Sequence, residues 1–244
     1  MLAIIGGTGL TQLSNLAVSR RQVVRTPYGE PSGALTFGQI GAREVVFLAR
    51  HGYGHTIPPH MVNYRANIWA LHSQGVEQIV SVASVGGIRA ELGPGVIAVP
   101  DQIIDYTWGR RSSFHEGEER SVLHIDFTRP YCDRLRNRLM SAAAAAGEAV
   151  MDGGVYATTQ GPRLETAAEI ERLGRDGADL VGMTAMPEAA LAREINLEYA
   201  AIAVVANYAA GRGDSEQAIA LDKIGAVLDE AMKRVRRIIG ELCK

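Results

Sequence analysis

Apolar positions along this chain follow two rhythms. Short continuous runs read as strands buried on both faces. Leu2-Ala-Ile-Ile5 is one, closed by Gly6-Gly7-Thr8-Gly9. Ile79 to Ser84 is another and ends at Gly86-Gly87. Tyr199 to Ala206 is a third and ends at Asn207. Ala34 to Gln39, Glu44 to Ala49 and Val150 to Thr159 read as further strands, with Gly41 as a turn between the first two. The second rhythm is helical. Val62 to Gln74 and the alanine-rich Tyr131 to Ala146 carry it. From Ser215 to Leu242, Ile224, Val227, Leu228, Ala231, Val235 and Ile238 form one stripe, with Asp214 or Ser215 as the expected cap. Strands and helices interleave, so the expected class is α/β. No Pro- or Ser-rich linker and no internal repeat divides residues 1–244, and one domain is expected.

Composition narrows the function classes. A net charge of −2 gives no global field for nucleic acid or anionic lipid. The two cysteines, Cys132 and Cys243, argue for a reducing compartment rather than a disulfide framework. The apolar start, Met1 to Ile5, is too short for a signal sequence, and no run is long enough to span a bilayer. A soluble cytoplasmic protein is expected, without nucleic-acid or membrane partners.

The chemistry concentrates at strand ends, where open α/β sheets bind ligands. Gly7-Thr8-Gly9 offers free N–H groups and a hydroxyl. Arg50-His51 follows the strand at 44–49, and a guanidinium can hold phosphate in a bidentate way. Ser84 and Thr184 close two further strands. Four groups of this kind favour an oxyanion site. Rivals fare worse. A dinucleotide fingerprint needs a third glycine where Gln12 stands. His51, His55 and His60 lie among glycines and prolines with no carboxylate, which argues against zinc. No Gly-x-Ser-x-Gly elbow is present. Two irregular segments, Gly52 to Pro59 and Arg110 to Arg120, read either as solvated loops or as lids and subunit contacts; the second holds Glu116, Glu118 and Glu119.

Two side chains suggest the organic ligand. An ionised Glu165 only accepts hydrogen bonds, whereas Asn207 donates and accepts. A 6-oxopurine has an N1–H for the first, and O6 and N7 for the second. A 6-amino base would turn a lone pair toward Glu165, a mismatch of roughly 1–3 kcal/mol. Taken singly, each residue also has a plain structural reading, Glu165 as a helix-opening acid and Asn207 as a turn.

The same residues resemble a family, the trimeric purine nucleoside phosphorylases, and most closely their methylthioadenosine phosphorylase branch. The likeness rests on Gly6-Gly-Thr-Gly-Leu10, Arg50-His-Gly52 with His55, Val62-Asn-Tyr-Arg-Ala-Asn67, Pro100-Asp-Gln102, His124-Ile, Gly161-Pro-Arg163, Gly182-Met-Thr184, Pro187-Glu188 and Leu191-Ala-Arg-Glu194. It implies a distorted, partly barrel-like mixed sheet flanked by helices, a homotrimer, and no metal or cofactor, with inorganic phosphate as co-substrate. It further implies phosphate contacts at Thr8, Arg50, His51, Ala83, Ser84 and Thr184, and ribose over Met183. Asn207, Tyr208 and Ala209 would read the base. His124 is similar to a residue lent to a neighbouring subunit's pocket. Leu164, beside Glu165, is expected to touch substrate.

Departures from that branch refine the expectation. The branch has two aspartates where Asn207 and Ala209 stand, and a serine in place of Glu165. Glu165 and Asn207 match the pair that 6-oxopurine phosphorylases use, which makes them the expected catalytic residues. Phosphorylases that prefer a 5′-hydroxyl carry a histidine in the C-terminal region, and this chain has none after His124. Ile219, Leu221 and Ile224 form an apolar wall instead, suited to a methylthio group. The expected reaction is phosphorolysis of a 5′-methylthioinosine. A broader inosine/guanosine phosphorylase, an enzyme that accepts methylthioadenosine, and a nucleoside-binding protein without turnover remain alternatives.

Overall fold

The computed structural model describes residues 1–116 and 121–244. Alternation along the first strand shows how the layers form. In β1 (Leu2–Gly6), Leu2 and Ile4 pack into one cluster, Ala3 and Ile5 into another on the opposite face. On the Leu2 side lie α2 (Asp133–Ala145) and α5 (Leu221–Leu242), through Leu135, Leu139, Val235 and Ile239. On the Ala3 side lie α1 (Tyr64–Ser73) and α4 (Glu188–Glu194), through Ile68, Leu71 and Leu191. A sheet sandwiched this way needs apolar residues at every position, which is why the strand runs are continuous rather than alternating.

Among the described residues eleven strands form one mixed sheet. At one end β2 (Ala17–Gln22), β3 (Leu35–Ile40) and β4 (Arg43–Ala49) run antiparallel, and β4 pairs in parallel with β1. The centre is β5 (Gln78–Gly87), which pairs in parallel with β11 (Glu198–Tyr208) along its length. The opposite edge of β5 is shared. It takes β1 at residues 78–81 and β10 (Leu180–Gly182) at residues 86–87. Between them the two neighbours diverge, and a gap opens beside residues 82–85. Backbone groups facing such a gap need other partners. Arg50 supplies one, its Nη1 donating to the Val82 carbonyl at 3.0 Å. The sheet continues through β9 (Val155–Thr158) to β7 (Gln102–Asp105), while β6 (Ile97–Val99) bridges β11 and β8 (Met151–Asp152). The helix α3 (Ala167–Arg175) packs Ile170 and Leu173 against Ala157, Val181 and Ala209.

Some boundaries differ from the sequence expectation. The run from Val150 to Thr159 is two strands, because Gly153 and Gly154 adopt φ of +85° and +120° and break the pleat. The C-terminal helix begins at Leu221. Neither Asp214 nor Ser215 caps it, since residues Gly213–Ser215 form a separate 3-10 turn, and Ala220 stands at the helix start without a side-chain cap. The strands β2, β6 and β7 were not expected.

Candidate active site

The gap beside β5 is the floor of a cavity of about 550 Å³, a size typical of small-molecule sites. Six strands or the loops that follow them converge on it. The first, after β1, brings Gly7 and Thr8; the second, after β4, brings Arg50 and His51. From β5 itself come Ala83 and Ser84, and from the end of β10 come Met183 and Thr184. The loop between β9 and α3 contributes Leu164 and Glu165, and β11 contributes Asn207 and Ala209. Ile219 and Ile224 close one wall. Close approach explains the glycine at 7: a Cβ there would lie 2.6 Å from the Val82 carbonyl oxygen and 2.9 Å from Arg50 Nη1.

The anion end is built on a buried ion pair. Arg50 and Glu188 are both fully buried, with Arg50 Nε to Glu188 Oε2 at 2.7 Å and Nη2 to Oε1 at 2.9 Å. Nη2 also reaches Ser81 Oγ at 2.6 Å, and Tyr199 donates its hydroxyl to Glu188 Oε1 at 2.8 Å. Burial alone would lower the Arg50 pKa, but the Glu188 carboxylate outweighs it and the net shift is upward. The bidentate fork expected to hold phosphate is therefore engaged by Glu188. Of the five guanidinium donors one N–H on Nη1 is left without a protein acceptor, and Arg50 is among the residues that line the cavity.

His51 is neutral here. Burial first, and the Arg50 cation second, hold its pKa down to about 4. Its Nδ1 lies 2.8 Å from the Ile57 carbonyl, which only accepts, so Nδ1 carries the proton and Nε2 is an acceptor. The segment from Gly52 to Pro59 folds over this end and lines the cavity with His55, Thr56 and Ile57. The His55 Nε2 lies 3.4 Å from Thr8 Oγ1. The segment is exposed from Tyr53 to Thr56 and lines the cavity at the same time. The Ile57 contact had no signal beyond the density of glycine and proline, whereas His55 stood among the residues that carry the resemblance.

At the other end Thr159 donates its hydroxyl to Glu165 Oε1 at 2.5 Å, which leaves Oε2 for a ligand. Asn207 gives one N–H to the Tyr208 carbonyl at 2.6 Å and retains a second. Its aim depends on a bulge. The β11 register shifts between Val205 and Asn207, so the consecutive Ala206 and Asn207 both line the cavity.

Two expected contacts lie elsewhere, and a third residue, His124, was expected to serve a neighbouring subunit's pocket. Tyr208 points to the other side of β11, where its hydroxyl donates to the Ala90 carbonyl at 3.0 Å; pleat alternation sends it away from Asn207 and Ala209. Leu221 is 65% exposed at the start of α5 and lines no part of the cavity, because the helix begins there and turns Ile224 inward instead. His124 is exposed and outside this chain's own cavity. Of the Arg110–Arg120 segment, residues 117–120, including Glu118 and Glu119, lie outside the described residues. In its first part Phe114 is buried, while Arg111, Ser112 and Glu116 are exposed. Among the described residues no group of three or more His, Cys, Asp or Glu side chains could hold a metal, and no helix is long and apolar enough to cross a membrane.

Comparison with known proteins identifies the family. The model of the phosphorylase superfamily matches residues 1–244. A Pseudomonas syringae pv. tomato protein named as a probable S-methyl-5'-thioinosine phosphorylase is 53% identical over 240 residues, covering 98% of this chain and 97% of that one. A 6-oxopurine nucleoside phosphorylase of Pyrococcus furiosus is 49% identical over 215 residues, covering 86% and 80%. Among solved structures, methylthioadenosine phosphorylase from Schistosoma mansoni in complex with adenine superposes with a TM-score of 0.94 at 33% identity, over 99% of this chain and 90% of that one. In sequence and in fold, from the first residue to the last, the chain belongs to the phosphorylase superfamily.

Proposed function

We propose that this chain is a single nucleoside phosphorylase domain that splits S-methyl-5'-thioinosine with phosphate. The products are hypoxanthine and 5-methylthioribose 1-phosphate. One observation carries the reading: Glu165, on the loop after β9, and Asn207, on β11, face the same cavity as Thr8, Ser84 and Thr184.

Phosphate binds against Thr8, the Ala83-Ser84 edge, Thr184 and the remaining Arg50 N–H. His51, with Nε2 as acceptor, takes a hydrogen bond from a protonated phosphate oxygen. The ribose rests on Met183. As a phosphate oxygen attacks C1′, the C1′–N9 bond breaks and its electron pair passes to the purine. The free N–H of Asn207 stabilises the charge growing on N7 and O6, an interaction stronger in the transition state than in the substrate. Glu165 Oε2 accepts N1–H and orients the base. Ile219 and Ile224 receive the methylthio group, where each buried methylene-sized unit contributes about 0.8 kcal/mol.

The relatives support the base assignment, since those named for S-methyl-5'-thioinosine and those named for 6-oxopurine nucleosides match at similar identity. The second group favours one further reading, a phosphorylase that also accepts inosine and guanosine. We place the protein in the cytoplasm on the strength of its two unpaired cysteines. We also propose a homotrimer in which His124 completes a neighbour's pocket; the exposed Trp108, Val122 and Leu123 flank this segment. Side-by-side assay of methylthioinosine, inosine, methylthioadenosine and adenosine, with and without phosphate, tests the activity. Hypoxanthine released fastest from methylthioinosine, and only with phosphate, is expected. Release without phosphate, or preference for a 6-amino nucleoside, overturns it.

A further inference from the structure

The two loops that carry the ligand-facing groups are not bonded to each other by the sheet alone. The loop after β9 holds Glu165, and the loop after β10 holds Met183 and Thr184. A single side chain from a third segment reaches both. Arg110 Nη1 donates to the carbonyls of Met183 at 2.8 Å and Met186 at 2.6 Å. Its Nη2 donates to the carbonyls of Thr159 at 3.2 Å and Gln160 at 2.9 Å, and its Nε to Gln160 Oε1 at 3.1 Å. All five donors are thus used, four of them on main-chain oxygens. Among the described residues no carboxylate pairs with Arg110, so the guanidinium serves here as a planar fork rather than as half of an ion pair. The ring of Tyr64 lies beside it, 5.4 Å from the guanidinium carbon.

The connection to chemistry is short. Thr159 gives its carbonyl to Arg110 and its hydroxyl to Glu165. Met183 gives its carbonyl to Arg110 and its side chain to the cavity. We propose that Arg110 is a positioning residue that fixes the base-reading carboxylate relative to the ribose and phosphate floor. It touches no substrate. It sets the spacing between Glu165 and Met183-Thr184, and a displacement of about 1 Å in such a spacing can cost roughly 100-fold in rate. The inference rests on the proposed reading of Glu165 and Met183, and extends it to the element that holds them in register.

The test uses the full-length protein with Arg110→Ala and Arg110→Lys. Hydrogen–deuterium exchange reads the clamp directly. In R110A, exchange in residues 159–166 and 183–187 should rise together while β1 and β11 keep their protection. The kcat/KM for methylthioinosine should fall about 100-fold, and the ratio of methylthioinosine to methylthioadenosine turnover should shrink. Methylguanidinium in the assay should restore part of both. R110K should recover little, because an ammonium cannot span four carbonyls on two loops. Unchanged exchange in the two loops, activity within threefold of wild type, or an activity loss with the ratio intact and no rescue would each overturn the clamp. So would failure of both variants to fold, which would make Arg110 a stability element. A wild-type enzyme that releases no hypoxanthine overturns the substrate assignment instead, and the exchange result still decides the clamp.

Discussion

At the scale of single residues, the base is read by what each atom has left to offer. Asn207 has one N–H bound to the Tyr208 carbonyl and one free, while the Ala209 side chain has no polar atom. Replacing both with aspartate leaves acceptors only, which suit an amino group. Since a mismatched buried pair costs about 1–3 kcal/mol, N207D/A209D should move the kcat/KM ratio at least tenfold toward methylthioadenosine. An unmoved ratio would remove both positions from the base pocket. His51 makes a second prediction, of pH dependence. Its folded-state pKa is held down to about 4, against an ordinary 6.5 in the unfolded chain. Between those values the unfolded chain binds more protons. The contribution to stability is therefore full above pH 6.5 and declines as pH falls toward 4. The urea midpoint of wild type should drop more between pH 7 and pH 5 than that of His51→Gln; parallel drops would show that His51 is not the group responsible. Most of these residues were legible because their types are unusual at the end of an apolar run. Arg110 was not, since its partners are carbonyls and leave no mark on a sequence. Tyr208 misled because the resemblance marks a run of three consecutive residues, whereas the pleat turns only alternate ones, Asn207 and Ala209, inward.

At the scale of elements, α3 shows how a local motif serves the site. Thr166 caps the helix by accepting from Glu169 N at 3.1 Å, and Glu169 Oε2 accepts from Thr166 N at 2.7 Å. Arg163 grips the same carboxylate through both Nη atoms, at 2.8 and 2.7 Å. The Arg163 guanidinium first, and the Thr166 N–H second, pull the Glu169 pKa down to about 2. This box closes the loop that presents Glu165, one residue before the cap. Thr166→Ala should cost about 1 kcal/mol, or roughly 2–4 °C in Tm, and should raise KM for the nucleoside more than KM for phosphate. Equal changes in both would mean the cap acts on stability alone. The long strands β1, β5 and β11 were legible because burial on both faces demands unbroken apolar runs. In β2, by contrast, Ala17-Val-Ser-Arg-Arg-Gln22 is almost wholly exposed, so no alternation marks it. The onset of α5 was read six residues early because helical spacing of apolar residues persists through a turn that does not continue the helix.

At the scale of the whole molecule, the branching of the sheet at β5 creates the site, and such long-range pairing has no local signature. What holds the branch is a buried charge pair joining β4 to α4 across 138 positions of chain. Removing one partner of such a pair strands the other, at a cost of about 3–5 kcal/mol, whereas replacing both with apolar side chains of similar volume is often close to neutral. Glu188→Leu should therefore sharply lower the urea midpoint. Arg50→Met with Glu188→Leu should recover most of that loss, short of the partners left behind at Ser81, the Val82 carbonyl and Tyr199. If the last Nη1 hydrogen serves phosphate, the recovered double variant will still show a raised KM for phosphate and an unaltered preference among bases. Stability and anion binding would then be separable functions of one guanidinium. A double variant as fragile as the single one would show that the pair cannot be replaced by packing. One with a wild-type KM for phosphate would leave the anion to Thr8, Ser84, Thr184 and the neutral His51.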